Sequence, residues 1–251
     1  MSDIKLVVQC DDFGMCHAAN LGAVRAFRDG ILTQASVMVP CPWFREAATL
    51  ATEHSIPVGV HLTLTSEWDY FRWGPLTAGR SLVGPDGRFP RTIEEVRERA
   101  KPSEMLEEFV AQVETFVSEG LRPAYFDCHM GVVTPEPYLE VCRRYGRPFD
   151  YPIGEEAVGF DSIHMLSGRP GKEKIPYLVD RISKLGPGKH LIVSHCGVDS
   201  DELRSMTSAQ AGHAEWALAY RVSDLEALTS DEVREAVEAK GVELVSVADL
   251  G

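Results

Sequence analysis

The segment Val7-Val8-Gln9-Cys10-Asp11-Asp12-Phe13-Gly14 runs from an apolar stretch into two adjacent carboxylates. Apolar packing gives no reason for that ending, and like charges side by side are costly unless something positive sits between them. His61 and His129 each stand at the end of another apolar run. A carboxylate with two imidazoles is a minimal divalent-metal site that leaves room for water and substrate. The chemistry indicated is metal-assisted hydrolysis. Asp11 and Asp12 together exceed what a helix cap needs, so that one can bind metal while the other serves as a base. Asp127 and His129 are two apart, a spacing that places both side chains on one face of a strand. His129 then reads as a ligand, and Asp127 as a carboxylate that orients it or a neighbouring group. Alone, such a pair reads better as a buried ion pair, and Asp12 with His61 reverses the balance. Thr63 and Thr65 share the face of His61 by period two, which makes that face polar.

His195 lies in Ile192-Val193-Ser194-His195-Cys196-Gly197. It has no ligand partner by spacing and suits a general acid. Ser194 beside it points to the opposite strand face, which argues against a nucleophile–base dyad. Arg147, just before Pro148, has the charge to neutralise or orient the acidic base and reads equally as a surface arginine. Cys10, Cys128 and Cys196 adjoin these residues, and alternation is expected to turn them into packing. His17, His54, His164, His190 and His213 belong to no constellation.

These groups can act together only if a fold gathers strand ends. Strands are expected at residues 4–10, 34–39, 58–64, 124–129, 146–151, 190–194 and 242–247. Helices are expected at 17–29, with Gly30 as C-cap, at 44–53, from a Ser103 cap to Gly120, at 137–145, at 175–185, and from Ser230 within 224–240. Residues 152–171 read as loop-like or mixed. Residues 66–102 form an insertion too long for an ordinary connection, which points to function. Its aromatics Trp68, Tyr70, Phe71 and Trp73 read either as a sugar-stacking lid or as a small satellite core. About seven strand–helix units without repeat or boundary indicate one α/β domain over 1–251. Such units close a barrel or open into a doubly wound sheet, and in both, ligands gather at the carboxyl ends of the strands.

The 251 residues are 44% hydrophobic, enough for a sizeable core, and the formal net charge is −13. That charge argues against nucleic-acid and anionic-membrane partners and for a neutral small molecule. Six cysteines without a Cys-x-x-Cys pair argue against a zinc ribbon or redox motif, and free thiols fit a reducing compartment. The first residues show no signal-peptide pattern, and no apolar run reaches membrane-spanning length. A cytoplasmic protein is expected, with a homodimer as the default from the frequency of twofold assemblies.

At these residues the chain resembles the YdjC/ChbG family of carbohydrate deacetylases. The matching stretches are Asp11-Asp12-Phe13-Gly14 with Asn20 and Gly22, Gly30-Ile31-Leu32-Thr33, Ser36-Val37-Met38, and Gly59-Val60-His61-Leu62-Thr63-Leu64-Thr65. Asp127-Cys128-His129 follows, then Ser194-His195-Cys196-Gly197 with Arg221, Asp224-Leu225 and Leu228. The resemblance implies a deformed, TIM-like (β/α) barrel, one divalent metal ion, and removal of acetyl groups from N-acetylated sugars. By position it implies Asp12, His61 and His129 as metal ligands, Asp11 as the base and His195 as the acid. One departure is His129-Met130-Gly131-Val132-Val133, where the family usually continues with alternating histidines. The imidazoles that would contact substrate are absent, which leaves the sugar open. Two imidazoles favour zinc, while magnesium is consistent with the resemblance. The alternatives are hydrolysis of another acyl or a phosphoester substrate, against which stands the lack of a Gly-rich phosphate loop, and a sugar-binding or regulatory module without turnover, against which stand Asp11 and His195.

Overall fold

The computed structural model of the chain describes residues 3–169, 171–209 and 214–250, so His213 lies outside it. Among these residues seven parallel strands alternate with helices. β1 (Ile4–Phe13) leads into α1 (His17–Asp29), and β2 (Gln34–Val37) into α2 (Phe44–His54). After β3 (Val58–Leu62) comes the insertion, which holds a 3-10 turn at Arg80–Leu82 and α3 (Ile93–Arg99), and then α4 (Pro102–Ser118). β4 (Phe126–Cys128) precedes α5 (Pro135–Tyr145), and β5 (Ser162–Met165) precedes α6 (Gly171–Ser183). β6 (Gly188–Ser194) is followed by α7 (Asp201–Ser205), α8 (Ala214–Ala217) and α9 (Ala219–Leu228). α10 (Asp231–Lys240) leads to β7 (Glu243–Leu244).

The strand order is β4-β3-β2-β1-β6-β5, with β7 also pairing β1. β6 runs along β1 from Ile4 to Cys10, so the other flank of β1 is shared by β7 at its start and β2 at its end. Beyond β4, single bridges link Phe126 to Phe149 and Phe149 to Ala157, and β5 then pairs β6. The sheet thus curls into a deformed barrel, extended from β4 toward β5 by one-residue contacts. Leu6, Val8, Cys10, Ala35, Val37, Val60 and Leu62 join the main core under the helices. Inside, Val7, Tyr125, Leu191 and Val193 form a small core with Val245 and Val247. Period-two alternation sends the next inward residues of β1, β3 and β4 to the mouth.

Several boundaries differ from the sequence expectation. β1 continues past Cys10 to Phe13 and takes in both acids. The expected strand at 146–151 is not formed. Only Phe149 bridges there, because Gly146 turns left-handed at the end of α5 and Pro148 has no N–H for a ladder. The fifth strand lies instead at Ser162–Met165, within the stretch read as loop-like or mixed. α4 begins at Pro102, and Lys101 offers no side-chain cap. Proline at the first helical position needs no donor there, so Ser103 lies inside the helix. Ser230 does cap α10, accepting from the Val233 N–H at 3.3 Å. Gly30 follows α1 in extended backbone with φ −132°, and its need is spatial. A Cβ there would lie 2.4 Å from Leu228 O. No helix among the described residues is long and apolar enough to cross a membrane.

Candidate active site

Regular alternation would turn Asp12 away from Asp11. The register of β1 against β2 shifts between Cys10 and Phe13, and Asp12 takes a left-handed φ of 64°. That strained bulge brings both carboxylates to one cavity of about 440 Å³ at the barrel mouth. The turn that follows is fixed by Asn20, whose Oδ1 accepts the Gly14 N–H at 2.6 Å. Gly22 lets α1 approach the loop after β6, since a Cβ would lie 2.5 Å from Gly197 N. The first and sixth strand ends are thereby held together.

Asp12 Oδ2 accepts a hydrogen bond from Arg221 at 2.6 Å. Asp12 Oδ1 lies 3.2 Å from His129 Nδ1 and 3.5 Å from His61 Nε2, and it is buried with no hydrogen-bond donor among the described residues. These three side chains offer ligand atoms within 4.8 Å of one another. Asp11, His61 and Asp127 form a second such group. The far nitrogens of the imidazoles distinguish the two. His129 Nε2 is hydrogen-bonded to Glu67 Oε2 at 3.0 Å. His61 Nδ1 lies 2.9 Å from Asp127 Oδ1, an ion-pair contact whose direction falls outside a hydrogen bond, so both atoms lack one. A histidine that ligates through one nitrogen commonly has a carboxylate on the other. The donor set therefore fits a divalent ion on Asp12, His61 and His129, with Asp127 and Glu67 behind the rings.

Asp11 stands beside this set. Its Oδ1 accepts from Gln9 Nε2 at 2.9 Å, and its Oδ2 lies 3.9 Å from His195 Nε2. The same Gln9 amide nitrogen contacts Asp127 at 3.0 Å and Asp150 at 2.9 Å. Burial, opposed by His61 and aided by Asp127 and Asp12, pushes the Asp11 carboxyl up to about 7. Burial, with Asp127 and Asp11, also raises Asp150. Asp12 goes the other way. Burial opposes its charge, but Arg221 and His129 hold it well below the usual carboxylate range. Burial likewise opposes the imidazolium forms, yet Asp127 and Asp11 raise His61, and Glu67 and Asp12 push His129 up to about 9. His195 is pushed down to about 3 by burial, with Asp12 pulling upward and Arg221 downward. The ring of Trp216 stands edge-on to it at 5.1 Å.

Asp11, Asp12, His61, Asp127, His129 and His195 all line the cavity. Arg147 does not. It is exposed, and the buried guanidinium beside the acids is Arg221, 209 residues from its partner. Glu67, Gln9, Asp150 and Arg221 carry no spacing signal of their own, although Arg221 belongs to the closing block of the resemblance. Cys10 and Cys196 are buried in packing, whereas Cys128 reaches the cavity wall. Trp68 and Trp73 are buried in the main core, and Trp68 also faces the cavity. Trp73 donates to Thr65 O at 2.8 Å and stands 6.1 Å from the His129 ring. Trp68 and Trp73 are therefore core, Phe71 packs half-buried against it, and Tyr70 is 90% exposed.

The profile of the YdjC-like protein family matches residues 5–239. A carbohydrate deacetylase of Clostridium beijerinckii is 30% identical over 98% of this chain and 100% of its own. A carbohydrate deacetylase of Thermus thermophilus is 31% identical over 91% and 88%. The crystal structure of a putative cellobiose-phosphate cleavage protein from Enterococcus faecalis superposes with a TM-score of 0.84 at 25% identity, covering 100% of both chains. Similarity that runs through every strand bearing a cavity carboxylate or imidazole shows that the chain belongs to the YdjC-like protein family.

Proposed function

We propose that the protein is a metal-dependent carbohydrate deacetylase that removes the acetyl group of a small N-acetylated sugar. The observation that carries this reading is Asp12 Oδ1, buried between two imidazole nitrogens without a donor among the described residues, with Asp11 and His195 outside that set on the same cavity. The relatives named carbohydrate deacetylases support the substrate class. A cavity of about 440 Å³ lies within the range that takes a small ligand.

Asp12, His61 and His129 would hold a divalent ion, which when bound would supply a Lewis acid for the acetyl carbonyl and lower the pKa of water. Asp127 and Glu67 fix the two imidazole rings. Asp11 takes a proton from the attacking water, and a nearby cation favours the ionised form it needs for this. His195 Nε2, neutral at rest, takes that proton from Asp11, whose Oδ2 lies 3.9 Å away, and gives it to the amide nitrogen as the C–N bond breaks, so acetate and a free amine leave. Two imidazoles favour zinc over magnesium, at one ion per chain. Six free cysteines support a cytoplasmic setting, and the charge of −13 supports neither nucleic acid nor an anionic membrane as partner.

The test is acetate release from N-acetylated mono- and disaccharides by metal-analysed protein, with and without chelator. Chelator-sensitive acetate is expected. No acetate from any sugar, with one bound metal per chain, would overturn the substrate assignment.

A further inference from the structure

Behind His195, on the side away from Asp11, a buried chain of polar groups runs to α6. Ser167 Oγ lies 3.0 Å from His195 Nδ1 and makes a short hydrogen bond to Asp224 Oδ2. The same Asp224 oxygen accepts the backbone N–H of His195 at 2.8 Å. Asp224 Oδ1 is in close contact with Lys174 Nζ, which also donates to Tyr220 O at 2.9 Å. The lysine and aspartate side chains are both fully buried. A buried ion pair is a weak source of stability, and no step described above uses this one.

Hydrogen-bond accounting leaves one arrangement. A backbone N–H and an ammonium can only donate, so Asp224 accepts on both oxygens. Burial raises its carboxyl on balance, against the pull of Lys174, Ser167 and the His195 N–H, and the ammonium in contact with Oδ1 makes it the carboxylate of an ion pair. Ser167 has one hydroxyl hydrogen, and the carboxylate has none to give, so that hydrogen goes to Asp224. The serine oxygen then offers only a lone pair to the ring. His195 Nδ1 must carry a hydrogen and donate it. Nε2, which faces Asp11 and the cavity, holds the lone pair when the ring is neutral and the mobile proton when it is charged. Nδ1 stays protonated in both states.

We propose that Ser167 is a positioning residue for the reaction, its hydroxyl anchored on the Asp224–Lys174 pair so that His195 is held in the Nδ1–H tautomer with Nε2 aimed at the leaving nitrogen. This rests on His195 as the proton donor. In the opposite tautomer a hydrogen would already occupy the Nε2 lone pair that must take up the proton from Asp11 in each turnover.

The test combines kinetics with nitrogen-15 NMR of the histidine rings in metal-loaded protein, with His195 assigned by its loss in His195→Ala. Wild type is expected to show a pyrrole-type Nδ1 and a pyridine-type Nε2. Ser167→Ala should mix the tautomers and lower kcat at least about tenfold, a fraction of the ~10²–10⁴ that a positioned acid supplies. Its KM and metal content should stay near wild type. Ser167→Thr keeps the hydroxyl and should restore both the tautomer and most of kcat. An Nε2–H tautomer in wild type, or Ser167→Ala with unchanged tautomer and kcat, would overturn the proposal while leaving His195 as the acid. If His195→Ala itself keeps wild-type kcat, the acid assignment fails and the positioning role fails with it.

Discussion

The two sides of the barrel mouth are built from different chemistry. β1, β3 and the β4 end present Asp11, Asp12, His61, Asp127 and His129, all buried. β5 and β6 present Ile163, Met165, Leu191 and Val193, with Tyr151 nearby. Ile163, Met165 and Tyr151 are 36%, 46% and 51% exposed. On the polar side three groups are fixed by another element: His129 by Glu67 from the insertion, Asp12 by Arg221 from α9, and Asp127 by Ser36 of β2 at 2.5 Å. The apolar side rests on a four-residue strand and one-residue bridges. The difference teaches a division of labour. Reacting groups need pre-set geometry, whereas a wall that meets the C–H faces of a substrate can vary without disturbing the reaction.

The largest break in the comparison comes from the polar side. His129→Ala is expected to lose bound metal and to drop turnover to background, read by metal analysis and acetate release. Asp11→Asn should keep the metal but lose about 10³-fold or more in kcat. Normal turnover in that variant would assign the base elsewhere. Arg221→Met leaves Asp12 buried without its guanidinium, and should destabilise chelated protein by about 3–5 kcal/mol. Added metal should recover part of that loss in thermal melts.

A pH series sharpens the same side. Asp11 has its folded-state pKa raised from 3.8 to about 7, so the folded chain binds more protons than the unfolded chain in that window. Stability from this group is therefore full below about pH 4 and falls as pH rises toward 7. Chelated wild type should lose stability relative to chelated Asp11→Asn across that interval, by an amount on the order of a few kcal/mol. A flat difference curve would show that Asp11 is not held protonated. The smallest effect belongs to the apolar wall. Ile163→Asn with Met165→Gln should leave kcat on the smallest accepted sugar within about threefold and shift KM for larger ones by about tenfold, the lower part of the 1–3 kcal/mol that apolar pocket contacts supply.

Legibility followed the range of each signal. Strand ends that finish in Asp11-Asp12, His61 and His129 announced themselves because an apolar run with a polar tip is a local pattern. α1 was legible to the residue at both ends for the same reason. The bulge that turns Asp12 inward was not, since it depends on the register against β2. Neither Glu67 nor Arg221 could be read from spacing, because each meets its partner only through the tertiary fold. The choice for Arg147 between a partner of the base and a surface arginine was left open by the same limit, and the residue is exposed. A strand was expected around it, and the ladder there stops at Phe149. Ser167 lies in a segment without hydrophobic periodicity, where no sequence rule selects one hydroxyl over another.

Asp12 and Arg221 also set an order of events in time. The carboxylate is translated first, and its guanidinium follows 209 positions later. At roughly 5–20 residues per second, that is a wait of about 10–40 s. β1 waits similarly for β6 and β7, which come from the last quarter of the chain. Throughout that interval the nascent protein carries an unpaired strand edge ending in two bare acids. The acids keep the waiting edge charged, and charge is what natural edge strands use against wrong pairing. The residues proposed for turnover would thus protect the chain before there is an enzyme for them to serve.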